Sequence, residues 1–159
     1  MKTEKLMAAE LKENFDGLYR ALEIMKYSLN KCKEIGIKEA YPLTELDTFE
    51  NLTSRFARTS DIYTQKIMKG ITLISREDAE TFLDRANLFE KLNIASADEL
   101  KMIRDLRNEI AHEYRLTDIS EIFEAVLEYS DILLKIIEKT NRFAQEKGWV
   151  EKNNATSAV

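Results

Sequence analysis

Seven residues near the start of the chain constrain the fold more tightly than anything else in it. Leu11, Phe15, Leu18, Leu22, Met25, Leu29 and Cys32 follow one another at steps of four and three. A strand alternates with a period of two, so this spacing suits a helix with one apolar seam. Sustained over about three heptads, the seam predicts a helix over roughly residues 4–35 that must bury one edge against other helices. Gly36 follows the last apolar turn and fits a C-cap. A second seam of Ile119, Ile122, Val126, Tyr129, Leu133, Ile136 and Phe143 predicts a last helix to about Lys147, ended by Gly148. Asp118 with Glu121 is a candidate capping box at its start. Only 4 Gly and 1 Pro in 159 residues leave few places for the chain to turn, and 33% charged residues suit long solvated helices.

The segments between the seams read as three more helices. Gly36 to Leu43 is a loop, with Tyr41-Pro42 favouring extended backbone. Thr44, followed three residues later by Asp47, begins a helix that runs to about Ile74 and buries Phe49, Leu52, Phe56, Tyr63, Ile67 and Ile74. Ser75-Arg76-Glu77-Asp78 reads as an N-cap with an acidic first turn, so a third helix is expected over about 76–92, burying Ala79, Phe82, Leu83, Ala86 and Phe89. Asn93-Ile94-Ala95 breaks it, and Ser96 with Glu99 forms a capping box that starts a fourth. The expectation is one all-α domain over residues 1–147, an antiparallel helical bundle of four to five helices, with 148–159 as a flexible tail. The lone cysteine, Cys32, sits on the first seam and is expected in the core. No stretch approaches the ~20 apolar residues of a membrane span, so the expected location is cytoplasmic.

One helix breaks its own pattern. If Leu100 to Tyr114 is placed on a helix, Leu100, Ile103, Leu106, Ile110 and Tyr114 form an apolar stripe, and Arg107 falls inside it. A charge within an apolar contact is costly unless it is paired or reaches a wet cleft. One reading pairs Arg107 with an acidic residue of the chain; the other leaves it facing a groove where an anion docks. Asn108 and His112, the only histidine in the chain, share the neighbouring face at a spacing of four.

A single histidine and a single cysteine cannot build a zinc site alone, and no glycine-rich phosphate loop is present. Acid–base chemistry at His112 remains, since imidazole titrates at about pH 6.5. RNA supplies its own nucleophile, the 2′-hydroxyl. A metal-independent catalyst without cofactors need only remove that proton, hold the phosphate and stabilise the phosphorane. Arg107 suits the phosphate because a guanidinium pairs with two oxygens at once. Asn108 can orient the imidazole or donate to the phosphate. Cleavage benefits from both a base and an acid, and one chain has one histidine, so the chemistry points to a two-fold homodimer whose cleft is lined by Arg107, Asn108, His112 and Tyr114 of both chains.

The stretch Asp105-Leu106-Arg107-Asn108-Glu109-Ile110-Ala111-His112-Glu113-Tyr114 resembles the RNxxxHxY signature of the HEPN superfamily in its HepT-like branch. The similarity of layout covers roughly residues 10–145. The resemblance implies a four- to five-helix, dimer-forming fold like that of nucleotidyltransferase substrate-binding subunits. It implies the toxin of a type VII-like toxin–antitoxin pair, an endoribonuclease with Arg107 and His112 as its catalytic residues. It also implies a separate minimal nucleotidyltransferase antitoxin that attaches AMP to Tyr114, placing an anionic group beside Arg107 where RNA phosphate would sit. A second class of function stands beside this one: a non-catalytic substrate- or nucleotide-binding partner subunit of a minimal nucleotidyltransferase. A plain helical scaffold is the third.

The net charge of −5 weighs against non-specific nucleic-acid binding, so an RNA substrate needs a local basic surface. The most basic segment is Asn51 to Ser75, where Asp61 is the only acidic residue. Arg55, Arg58, Lys66 and Lys69 are expected to form one stripe there, with Arg104 a further candidate; an ordinary solvated face is the competing reading.

Overall fold

The computed structural model describes residues 2–112 and 119–152. Over those residues the chain is all-α, with no strand. α1 spans Glu4–Ile35, α2 Leu43–Ile62 and α3 Met68–Ile74, the last two joined without a break by a π turn at Tyr63–Ile67. α4 is Phe82–Lys91, α5 Ala97–Ala111 and α6 Ile119–Glu146. With α2, the π turn and α3 taken as one rod, the bundle has five helices. None of the described helices is long and apolar enough to cross a membrane.

Contacts along α1 set the directions. Cys32 Sγ lies 3.5 Å from the Thr48 carbonyl, Arg55 Nη1 donates to Ser28 Oγ, and Leu11 meets Gly70. Rising numbers on α1 face falling numbers on the α2–α3 rod, so the two are antiparallel. α6 is also antiparallel to α1: Lys33 pairs with Asp131 at 2.9 Å, and Trp149 Nε1 donates to Glu4 Oε1 at 3.1 Å. A β-carbon on Gly70 would lie 3.1 Å from Leu11 Cδ1, so this glycine inside a helix permits the close approach of α1.

The two seams build the core. All seven residues of the α1 seam are buried, as are Phe49, Leu52, Phe56, Tyr63, Ile67 and Ile74 on the rod. From α6, Ile122, Val126, Leu133 and Ile136 are buried, while Ile119, Tyr129 and Phe143 are half-buried against the same cluster. Phe49 and Phe123 stack with centroids 4.4 Å apart, and Tyr41 packs on both. The buried hydroxyl of Tyr63 meets Thr140 Oγ1 at 2.7 Å, which satisfies a polar group at the centre of the bundle.

Local chemistry moved several boundaries. The second helix begins at Leu43 with Pro42 at its cap, and Thr44 caps nothing; its carbonyl accepts from Thr48 Oγ1 instead. Ser75 does not start a helix. It is the C-cap of α3, and Arg76 beyond it sits at φ 58°, which ends the rod. The next helix waits for Thr81, whose side chain accepts from Asp84 N while Asp84 accepts from Thr81 N, a complete capping box. The chain between is tied down by Arg85, a buried arginine donating to the carbonyls of Ala79 at 3.4 Å and Glu80 at 2.6 Å. Leu83, expected inside, is exposed, and Leu88 takes a buried place instead. Ser96 accepts from Glu99 N as expected, but Glu90 of α4 supplies a carboxylate to Ala97 N at the head of α5. Trp149 and Val150, assigned to a flexible tail, pack against the core, with Trp149 edge-on to Phe143 at 5.9 Å.

The π turn affects the expected basic stripe. Met68 N bonds to Tyr63 O, five residues back. A π turn takes up one residue more than an α turn, which rotates everything beyond it by about 100° relative to a regular helix. Arg55 and Arg58 precede the turn; Lys66 lies within it and Lys69 follows it. The four cations therefore do not form the single stripe that regular spacing implies.

Candidate functional site

α5 carries the motif on its last turn and a half. Leu100, Ile103 and Leu106 are buried, and Ile110 is half-buried against the core, as the apolar stripe requires. Arg107, within that stripe, projects to α2 and clamps Asp61. Nε donates to Oδ1 at 2.6 Å and Nη2 to Oδ2 at 2.9 Å. This is a fork-to-fork pair, the strongest arrangement available to these two groups. It raises the pKa of the guanidinium above its ordinary value: hydrogen bonding to Asp61 outweighs the desolvation that opposes it.

The reading that pairs Arg107 with an acidic residue of the chain holds. The residue is paired with a carboxylate of its own chain, yet both side chains remain 32% accessible. The pairing occupies the Nε–Nη2 edge of the guanidinium. Among the described residues, Nη1 makes no hydrogen bond.

The helix stops sooner than its pattern implies. α5 ends at Ala111, and His112 is its C-cap with extended backbone at φ −88° and ψ 151°. A continuous helix through Tyr114 is therefore corrected. His112 N still bonds to Asn108 O at 3.2 Å, which closes the last turn and keeps the two residues adjacent. Their side chains are both exposed. The extended backbone frees the imidazole from the fixed azimuth that five helical residues would impose relative to Arg107. Tyr114, the candidate modification site, lies outside the described residues, as do the Arg115–Thr117 link and Asp118.

The other basic candidates divide. Arg104 stacks over Phe82 at 4.7 Å and reaches Asp105 at 3.3 Å, so it ties α5 to the start of α4. Lys66 and Lys69 are exposed. Arg55 and Arg58 share a cleft between α1 and α2. Among the described residues no group of three or more His, Cys, Asp or Glu is placed to hold a metal ion.

Asp61 is the residue that the sequence pattern did not assign. A pairing across 46 residues follows from no local rule. The available signal was its isolation: one carboxylate in a segment otherwise neutral or basic sits there for a specific partner. Comparison with protein families, with curated proteins and with solved structures finds no match for this chain.

Proposed function

We propose that this chain is a HEPN-like, HepT-type toxin acting as a metal-independent endoribonuclease in the cytoplasm. The observation that carries the reading is the state of Arg107: a guanidinium on an otherwise apolar helix face, fixed by Asp61 along its Nε–Nη2 edge and still one-third accessible, five residues before the only histidine. The RNxxxHxY resemblance supplies the class, and Asp61 is the physical reason that such an arginine is tolerated.

In this reading His112 takes the proton from a ribose 2′-hydroxyl. The 2′-oxygen attacks the adjacent phosphorus, and charge that develops on the phosphorane is met by Arg107 Nη1, with Asn108 donating alongside. The bond to the 5′-oxygen breaks, and His112 of a second copy in a homodimer returns a proton to it. The products are a 2′,3′-cyclic phosphate and a 5′-hydroxyl. A minimal nucleotidyltransferase antitoxin neutralises the chain by attaching AMP to Tyr114, whose phosphate then competes for the Arg107 edge.

One observation favours the second reading, a non-catalytic nucleotide-binding partner of a nucleotidyltransferase. Asp61 already offsets part of the charge on Arg107, which suits holding a phosphate better than stabilising a transition state. His112→Ala separates the two. Under the ribonuclease reading it abolishes both RNA cleavage and growth inhibition while the fold, followed by circular dichroism, is unchanged. Undiminished cleavage by the variant overturns the catalytic assignment.

A further inference from the structure

The cleft between α1 and α2 carries positive charge that no carboxylate of its lining offsets. It has a volume of about 260 Å³ and is lined by Ala21, Ile24, Asn51, Ser54, Arg55 and Arg58, with no carboxylate among them. Arg55 is held in place by Ser28, a buried hydroxyl that orients the guanidinium and leaves its charge intact. Arg58 forms no ion pair among the described residues. At the rim, Ile24 is 48% and Tyr27 59% exposed, and Lys31 lies 4.7 Å from the centre of the Tyr27 ring. A hydrogen bond and the charge of Lys31, with a smaller contribution from Arg55, lower the pKa of the Tyr27 hydroxyl.

The cleft also lines up with the motif. Arg58 and Asp61 are three apart on α2 and so are neighbours on its surface. Arg55 to Asp61 covers about 9 Å of helix at 1.5 Å per residue. A strand that follows Arg55, Arg58 and the Arg107–Asp61 pair in that order must wind about 120° round α2 over this rise. Cations in a groove with an exposed aromatic ring beside them, and amide and hydroxyl donors between, suit the backbone of a single strand whose bases are splayed outward.

We propose that the Arg55–Arg58 cleft is a backbone subsite for single-stranded RNA, binding phosphates one or two nucleotides away from the one at Arg107. The choice of RNA rests on the ribonuclease reading; the anionic, extended character of the ligand rests on the cleft. Asn51 and Ser54 donate to non-bridging oxygens, and the two arginines supply the charge. The site contributes binding and register and touches no reacting atom.

The test uses a short fluorescein-labelled single-stranded RNA and fluorescence anisotropy across a range of salt, with His112→Ala as the background so that the probe stays intact. Cleavage is measured separately with His112 in place. Arg58→Gln is the first variant because its side chain supports nothing in the core; Arg55→Gln, which leaves Ser28 without its partner, is the second, checked for folding by circular dichroism. Each is expected to weaken binding about tenfold at low salt and to reduce the slope of log K against log salt by about 0.7, the value for one single-strand phosphate contact. Arg58→Lys retains the slope, and Lys69→Gln changes neither quantity. If Arg58→Gln leaves affinity and slope as they were, or the probe does not bind at all, the subsite is overturned. His112-dependent cleavage that is indifferent to Arg58 removes the subsite and leaves the ribonuclease reading standing. Salt-dependent binding through Arg58 with no cleavage by any form does the reverse.

Discussion

Two arginine sites flank the same helix, and they differ in what holds the guanidinium. Arg107 is gripped by a carboxylate, Asp61; Arg55 is gripped by a hydroxyl, Ser28. The first arrangement fixes position and spends charge; the second fixes position and keeps it. A guanidinium on an apolar helix face is steadied by the carboxylate, a modest gain here because the pair is one-third accessible. A guanidinium at a cleft mouth needs only alignment, since water already solvates it. The site richest in motif residues is thus the poorer in net positive charge, and under the proposed function the two would divide the work of placing and attracting a polyanion.

The largest effect that can sharpen this contrast is kinetic. Arg107→Ala should lower kcat for RNA cleavage by about 100- to 1000-fold, the usual loss of one transition-state donor. Arg58→Gln should leave kcat in place and raise KM. Steady-state kinetics on one RNA substrate reads both; equal losses of kcat would erase the distinction. Next in size is stability. Asp61→Asn keeps the size of the side chain but removes its charge and one of its two acceptors, and should lower the free energy of urea unfolding by about 1 kcal/mol, a modest figure because the pair is one-third accessible. Arg58→Gln should shift the same unfolding curve by less than about 0.5 kcal/mol. A larger loss at Arg58 than at Asp61 would reverse the assignment of which arginine supports the fold.

A further effect lies outside both sites and serves as their control. Burial pushes the thiol of Cys32 up to about 11 from 9.0, and the hydroxyl of Tyr19 up to about 12, where Glu138 adds to the effect of burial. Both groups are neutral when protonated, so the unfolded chain loses their protons first as pH rises. Stability is therefore fully present below about pH 9 and declines from there through the folded values of about 11 and about 12. Denaturant melts at pH 8 and pH 10.5 check the sign, and Cys32→Ala should flatten part of the decline.

Much of the architecture was legible because it is written in long repeats. α1 and α6 show the same seam for about six and about seven turns, and no local accident outweighs that. The α3–α4 junction was misread because two capping signals compete within seven residues. Ser75 with two acidic followers looks as good as Thr81 with Asp84, and side-chain bonds settle it: buried Arg85 donates to the carbonyls of Ala79 and Glu80, six and five residues back and outside the helix. The basic stripe was misread because a π turn is invisible to a method that counts 100° per residue. The motif was legible as a set of residue types, and the end of α5 was not. No glycine or proline marks His112, and its extended backbone follows from no composition signal. Asp61 was visible as an oddity but not as a partner, since nothing in a single sequence joins positions 61 and 107.

Trp149 is the only tryptophan in the chain, and its indole NH spans from the end of the last helix to Glu4 in the first turn of α1. Its emission therefore reports on one joint alone, where the end of α6 closes against the head of α1. Excited selectively, it is an intrinsic gauge of whether that joint parts before the rest of the bundle melts. A red shift that precedes the loss of helicity on heating would mark the closure as an independent latch, with no added dye or label.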